Sequence, residues 1–347
     1  MEQRDRTPNE VLAENIGRKK SIAQRRWRIL AKALIGPQEP ISTMDDTEDE
    51  ISVRRFTSFE LLRIDRSENK NTTVDPDAAT WYEYSTVLEN KLYTVEIRRI
   101  KKNFTANELI GFNNTGNICV WPSEECLAYY LLKNRQLCRN RRILELGGGM
   151  SCLAGVIAAK YCEPKEVVLT DGNATSVNNV RRVVDRNGMS DFVECGVVQW
   201  AKAARAIRAA RLVRAFVHPH LNGLRVKSWT GGRTKDLAKF AAKLYDVILC
   251  ADCLFFDEAR SDLVETIYGW LTNDGLALVM APRRGSTFEK FTEAAVKRGF
   301  IARRIDRYDP TVWSKHLQLL DHSQEYCADL HYPILLELTK QKSTSPG

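Results

Sequence analysis

The sequence predicts an α/β protein built on a doubly wound, mostly parallel β-sheet with helices on both faces. From residue 121 onward, short apolar segments alternate with longer segments of helical character. Apolar strands of this kind are covered on both sides by the helices that connect them. A glycine-rich turn at residues 147–149 follows the first of these strands, as is typical of the ligand-binding edge of such a sheet.

Length and composition are those of a globular protein. The 347 residues suffice for one large domain or two ordinary ones, and 44% are hydrophobic and 28% charged. No apolar run approaches the roughly 18 to 20 residues of a membrane span, and the N-terminus lacks the apolar core of a signal peptide. We therefore expect an intracellular protein without a membrane partner. The expected location is the cytoplasm, with the nucleus as an alternative, and the expected state is a monomer. The nine scattered cysteines do not suggest a disulfide framework.

The positive charge is concentrated in two segments. The net charge is +8, yet residues 16–35 and 201–227 each contain seven Lys or Arg and no acidic residue. The remainder of the chain is net negative. A nucleic-acid-binding protein would spread its basic residues over one face, so we expect no nucleic-acid partner.

The chain divides into several predicted parts. Residues 1–50 combine a basic helix with an acidic, flexible stretch. Residues 51–120 predict a strand-rich subdomain, with strands at 51–53, 80–87, 92–100 and 117–121. Residues 121–340 form the main domain and 341–347 a tail. Within the main domain, residues 201–225 predict a basic insertion looping off the domain. Their Arg and Lys residues recur every third position from 202 to 214, and this spacing does not keep one helical face.

The main domain is predicted to alternate strands and helices throughout. Pro122 and the residues after it open the first helix. The last two strands are separated by a long connection and are expected to form an antiparallel edge. Helices are predicted at 122–138, 151–160, 174–186, 257–271 and 287–298, and strands at 141–146, 166–170, 245–250, 275–280, 300–305 and 334–339.

The first candidate site is the turn at residues 145–152. Gly147, Gly148 and Gly149 allow the backbone to turn sharply and to approach a ligand closely, in front of a helix N-terminus. Such a turn also fits nucleotides and dinucleotides. Cys152 occupies the place where the dinucleotide fingerprint has a glycine, and this counts against a nicotinamide oxidoreductase.

Two aspartates follow neighbouring strands at the same predicted edge. Asp171 ends the second strand, where a carboxylate can accept hydrogen bonds from both hydroxyls of a ribose. It could instead cap the following helix. Asp252 ends the strand at 245–250, between Cys250 and Cys253. This CxxC has no second CxxC or His pair to complete a zinc site, so we expect no metal. Because Asp252 ends a strand at the switch point of the predicted sheet, it is a catalytic candidate.

These segments resemble the calmodulin-lysine N-methyltransferase family, in the seven-β-strand group of class I protein-lysine methyltransferases. The resemblance lies in ELGGGMSCLAG, LTDGN, VILCADCLF and NTGNICVWPSEECLAYY, and extends to residues 52–62, 281–291 and 330–340. It covers nearly all of residues 51–340. It implies a Rossmann-like seven-strand methyltransferase sheet with an N-terminal β-containing extension.

The resemblance also implies the chemistry. The cofactor is S-adenosyl-L-methionine, and the substrate is a protein lysine, with calmodulin the expected protein. The family's acid-x-x-aromatic motif matches Asp252 and Phe255, which are assigned as catalytic. In related enzymes a Trp at the end of the third strand packs on the adenine. Trp200 and Trp229 are the two candidates here, and Trp229 is preferred because its spacing to the strand with Asp246 fits the family better. The cofactor-binding residues are then Trp121, Glu145, Gly147, Gly148, Gly149, Asp171, Trp229 and Ala251.

The basic N-terminal helix has two interpretations. Trp27, Leu30 and Leu34 lie at helical spacing among Arg and Lys, a pattern typical of calmodulin-binding helices. A helix docked on its own domain explains the same pattern.

Rival functions remain open at this point. A methyltransferase for another protein, for nucleic acid or for a small molecule shares the fold, although the Asn/Asp-Pro-Pro-aromatic run of base-methylating enzymes is missing after Asp252. A catalytically weak, calmodulin-binding adaptor with the same fold is the alternative from another class.

Overall fold

The computed structural model describes Phe56 and residues 58–67, 79–100, 119–216, 239–240, 242–254 and 256–341. All of them belong to one compact unit. The predicted N-terminal helix with Trp27, the predicted strand at 51–53 and the part of the basic segment that follows residue 216 lie outside the described residues. None of the described helices is both long and apolar enough to cross a lipid bilayer.

Strands and helices alternate along most of residues 122–340, as the sequence predicts. The strands are β1 Arg63–Arg66, β2 Thr80–Leu88, β3 Lys91–Arg99, β4 Arg142–Leu146, β5 Glu166–Asp171, β6 Val193–Val197, β7 Tyr245–Ala251, β8 Leu271–Ala281, β9 Phe300–Ile305 and β10 Ile334–Lys340. The helices are α1 Pro122–Lys133, α2 Leu153–Tyr161, α3 Ala174–Arg186, α4 Trp200–Phe216, α5 Arg260–Trp270, α6 Thr287–Arg298, α7 Pro310–His322 and α8 Ala328–His331.

The main sheet has seven strands in the order β6-β5-β4-β7-β8-β10-β9. Strands β4 to β8 are parallel, and most of their residues are buried. Strand β10 is antiparallel to both neighbours: Leu336 pairs with Val279 of β8 on one side and with Arg304 of β9 on the other. The predicted α/β fold and the antiparallel pairing of the last two strands are confirmed. The edge strand is β9, since β10 lies inside the sheet.

The chain order places helices on both faces of this sheet. From β4 the chain moves outward to β5 and β6, and it then returns to β7 on the other side of β4. Right-handed crossovers in opposite directions put α2 and α3 on one face and α4 and α5 on the other. The point where the direction reverses, between β4 and β7, is where ligands bind in sheets of this kind.

A smaller antiparallel sheet, β1-β2-β3, packs against α2 and α3. Its anchor is Arg98, which is 1% exposed and donates to the side-chain oxygen of Asn179 on α3 at 2.7 Å. The amide nitrogen of Asn179 donates to the backbone oxygens of Arg98 at 2.9 Å and Met150 at 2.8 Å. One buried amide therefore ties the small sheet to the loop after β4.

Several elements differ from the sequence prediction. Cys119–Trp121 is not a strand, because Trp121 already serves as the N-cap residue of α1. The edge strand β6 and the helix α7 were not predicted. Helix α7 occupies the long connection before β10, and the Asp309 carboxylate caps it by accepting from the N–H groups of Thr311 and Val312.

The prediction that residues 201–225 loop off the domain is wrong for their first part. Helix α4 packs against α5, and Ala203 and Ala204 are fully buried. Ile207 faces Gly269 so closely that a Cβ on Gly269 would lie 2.5 Å from its Cδ1 atom. Small apolar residues, rather than the basic ones, define the face of this helix.

Candidate active site

The candidate site lies at the carboxyl ends of β4, β5 and β7, on both sides of the reversal in strand order. Gly147 and Gly149 have φ values of +68° and +61°, which residues with a side chain rarely adopt. A Cβ on Gly147 would lie 2.7 Å from Cys253 Sγ and 2.8 Å from a ring atom of Trp200. A Cβ on Gly148 would lie 2.4 Å from Cys152 Sγ. The loop therefore requires glycine for both its conformation and its packing.

Two buried carboxyl groups, those of Glu145 and Glu124, lie next to this loop on the protein side. Glu145, the fourth residue of β4, accepts from the N–H of Gly155 at 3.1 Å, and its Oε1 atom is buried without a hydrogen-bond partner. Glu124 of α1 accepts from the Ser151 hydroxyl at 2.6 Å and from the Leu153 N–H at 2.5 Å. Burial raises the pKa of Glu124 to about 7, and burial together with the nearby Glu124 raises the pKa of Glu145 to about 8.

Asp171 ends β5 beside the glycine loop. One carboxylate oxygen accepts from the N–H of Gly149 at 3.0 Å, and the other accepts from the N–H of Asn173 at 2.8 Å. Burial raises the pKa of Asp171 to about 6, although these two hydrogen bonds favour its charged form. The helix α3 is capped by Asn173, not by Asp171, because the Asn173 side chain accepts from Thr175 and Ser176.

Asp252 follows β7 with a φ of +54° and is 6% exposed. Its two carboxylate oxygens accept from the two terminal nitrogens of Arg284, at 2.6 Å and 2.8 Å. The same guanidinium lies 5.7 Å from the centre of the Trp121 ring. Trp121 and Asp252, which the sequence resemblance assigns to cofactor and substrate, are thus connected through a residue that the sequence interpretation did not single out.

The remaining predicted residues are placed as follows. Ala251 ends β7 and is half-buried, and its backbone oxygen accepts from the Cys253 thiol at 3.2 Å. Phe255 and Trp229 lie outside the described residues. Trp200, the alternative to Trp229, begins α4, is 5% exposed and lies against Gly147.

The residues present fit S-adenosylmethionine. The glycine turn exposes backbone without side chains at the end of β4, and an aspartate stands at the end of each of the two flanking strands, β5 and β7. Glu145 contributes a buried carboxyl oxygen without a partner. Acidic groups suit a cofactor that carries a sulfonium cation and a ribose with two hydroxyls. Among the described residues, no group of three or more His, Cys, Asp or Glu is placed to hold a metal ion.

Comparison with known proteins decides among the functions that share this fold. Residues 103–212 match the family model described as lysine methyltransferase. The chain is 28% identical to calmodulin-lysine N-methyltransferase of Arabidopsis thaliana, over 91% of this chain and 96% of that protein. The chain is an S-adenosylmethionine-dependent protein-lysine methyltransferase.

Other relatives carry related names. The methyltransferase is 27% identical to protein-lysine N-methyltransferase EFM3 of Chaetomium thermophilum, over 62% of this chain and 56% of that protein. The crystal structure of a methyltransferase from Pyrococcus furiosus superimposes with a TM-score of 0.38 at 14% identity, covering 62% of this chain and 83% of the other.

Two residues of this methyltransferase site were not identified from the sequence. Glu124 lies in the opening of a predicted helix, where acidic residues are common because they interact favourably with the helix dipole. Arg284 lies in the segment 281–291, which contributes to the resemblance without a residue role. The partners of both are distant in the sequence, Ser151 and Asp252 respectively, so spacing along the chain carries no signal for either.

Proposed function

We propose that this methyltransferase transfers a methyl group from S-adenosylmethionine to the ε-amine of a lysine in calmodulin. The observation that carries the proposal is the similarity to the Arabidopsis calmodulin-lysine N-methyltransferase, because it extends over 96% of that protein. The similarity to EFM3 covers only 56% of its length, and the name of that enzyme gives the target type, a protein lysine, without a calmodulin substrate.

Charge supports an acidic substrate. The chain has a net charge of +8, and calmodulin is an acidic protein, so the two attract each other over a distance of about a Debye length. The first turns of α4 contribute exposed basic side chains, Lys202 and Arg205, shortly after Trp200, whose ring lies against Gly147. Electrostatic attraction of this kind raises the rate of encounter more than the strength of the final complex.

The proposed roles of the site residues follow from their chemistry. S-adenosylmethionine supplies an activated methyl group, so the protein has to align the two reactants and admit a neutral amine. Glycines 147–149 and Asp171 hold the cofactor, and Glu145 and Glu124 shape the loop from behind. Lysine has a reference pKa of about 10.4, so a poorly hydrated channel helps it to lose its proton. Asp252 accepts a hydrogen bond from the amine and orients its lone pair.

The test is label transfer from S-adenosylmethionine carrying a radioactive methyl group to purified calmodulin. We expect labelling to decline as salt is raised from about 50 to about 300 mM, while the cofactor affinity stays about constant. In a series of calmodulin variants with single lysine-to-arginine substitutions, labelling should disappear in one variant. Lysozyme, a basic protein, serves as the control substrate and should stay unlabelled. If calmodulin stays unlabelled while another protein in a lysate is modified, the calmodulin proposal is wrong and the lysine methyltransferase assignment stands.

A further inference from the structure

Arg284 and Asp252 form a buried, two-pronged ion pair at the tip of β7. The distances between Arg284 nitrogens and Asp252 oxygens are 2.6 Å and 2.8 Å, and the side chains are 17% and 5% exposed. A guanidinium that meets a carboxylate through two parallel hydrogen bonds fixes the plane of the carboxylate as well as its position. Each carboxylate oxygen keeps a second lone pair that can accept from another donor.

Both residues of the ion pair have an unusual backbone conformation. Asp252 and Arg284 have φ values of +54° and +44°, a region that residues with a Cβ seldom occupy. The Asp252 N–H donates to the Met280 oxygen at 2.8 Å, and the Arg284 N–H donates to the Asp329 oxygen at 2.7 Å. The Asp329 carboxylate also accepts from the Gly285 N–H at 2.8 Å. Strained conformations persist where surrounding contacts over-determine them, and they concentrate at functional sites.

The surroundings of the pair are acidic and aromatic. The Asp252 charge contributes to the raised pKa of Glu124, although burial is the larger cause. The Arg284 guanidinium is the cation between Asp252 and the Trp121 ring. Removal of Arg284 would leave the buried Asp252 carboxylate without its cationic partner.

We propose that Arg284 is a positioning residue that holds the Asp252 carboxylate in a fixed orientation, so that its free lone pairs can accept a hydrogen bond from the substrate amine. This inference rests on the proposed role of Asp252. It implies that Asp252 orients the lysine and does not take its proton, because its charge is already balanced by Arg284. The proton of the substrate ammonium then passes to water.

The test compares Arg284→Gln and Arg284→Lys with Arg283→Gln. Arg283 is the matched control, because it is the neighbouring arginine, is half-exposed and pairs with Glu289 instead. We expect Arg284→Gln to lower kcat by about tenfold or more and to leave S-adenosylhomocysteine affinity within about twofold of wild type. Arg284→Lys should restore part of kcat, because it keeps the charge and loses the two parallel hydrogen bonds. Arg283→Gln should behave as wild type.

Other outcomes would overturn the proposal. A wild-type kcat in Arg284→Gln would show that Asp252 does not need the guanidinium. If Arg284→Gln loses cofactor affinity and melting temperature together with kcat, the role of Arg284 is purely structural. If wild-type enzyme fails to label calmodulin, the substrate proposal is wrong, and the same three variants are compared on the protein that it labels in a lysate.

Discussion

Glu124 and Glu125 are consecutive in the first turn of α1, and their buried carboxylates bind two different parts of the chain. Glu124 accepts from Ser151 and Leu153, at the start of α2. Glu125 accepts from the N–H groups of Phe59, Leu61 and Leu62 at 2.8 to 3.2 Å. A single helical turn therefore organises the loop behind the glycine turn and holds residues 58–62 against the main domain.

The first prediction concerns Glu125. Glu125→Ala removes the acceptor for three buried N–H groups and for the Ser58 hydroxyl, so we expect a loss of roughly 2–4 kcal/mol of unfolding free energy. Residues 56–62 should become accessible to protease. Thermal unfolding and limited proteolysis measure the two effects. The control is Glu60→Ala, in the same segment, whose side chain is 88% exposed; equal stability of the two variants would contradict the role of Glu125.

The second prediction concerns the pH dependence of stability. Burial raises the pKa of Glu124, Glu145 and Asp171 to about 7, 8 and 6, whereas in the unfolded chain such groups titrate near about 4. The folded state therefore binds these protons more tightly. The resulting stabilisation is complete below about pH 4 and is lost as the pH rises through 6 to 8.

We expect the melting temperature of the cofactor-free protein to decline by several degrees, roughly 5 °C, between about pH 5.5 and 8.5. Scanning fluorimetry across this range measures it. Glu124→Gln keeps the shape and an acceptor oxygen but cannot ionise, so its decline should be shallower than that of wild type. S-adenosylmethionine is cationic and should stabilise the protein more at about pH 8 than at about pH 6. A melting temperature that is constant or rises over this range would contradict the prediction.

The strand ends can be predicted from the sequence because each is set by neighbouring residues. An apolar run followed by glycine or aspartate marks where a strand leaves the core, so the sequence alone places residues 147–149, Asp171 and Asp252 at one edge of the sheet. Arg284 and Glu124 cannot be found in this way. Their roles depend on contacts with Asp252 and Ser151, which only the folded chain brings within hydrogen-bonding distance.

Helix α4 shows a different reason for a wrong prediction. Its Arg and Lys recur every third position and favour the interpretation of an insertion, while Ala203, Ala204 and Ile207 form the apolar face that packs on α5. Alanine is a weak hydrophobic signal in a sequence, yet it permits close approach of two helices. Gly269 on the partner helix has no side chain and so makes room for Ile207. This contact depends on a residue of α5, and the sequence of α4 alone therefore does not predict it.

The third prediction tests that packing. Ala204 is fully buried and Ala206 is exposed on the same helix. Ala204→Asp places an unpaired charge between α4 and α5 and should lower the unfolding free energy by about 3 kcal/mol or more, whereas Ala206→Asp should change it by less than about 0.5 kcal/mol. Chemical denaturation of both variants gives the comparison. Similar stabilities would mean that the first part of α4 is an independent insertion after all.

The last prediction concerns Asp171 and the cofactor. Its carboxylate accepts hydrogen bonds from the N–H groups of Gly149 and Asn173, and we propose that it also accepts hydrogen bonds from the ribose hydroxyls. Asp171→Ala should weaken the binding of S-adenosylhomocysteine by roughly 10- to 100-fold, as expected for loss of charge-assisted hydrogen bonds. Asp171→Asn should lose less, since its one side-chain oxygen can still accept from Gly149 or from the ribose. Asp191→Ala, an exposed aspartate after α3, is the control and should bind as wild type does. Isothermal titration calorimetry measures all four proteins, and NADH is titrated into wild type in parallel. Unchanged affinity in Asp171→Ala would remove this residue from the cofactor site.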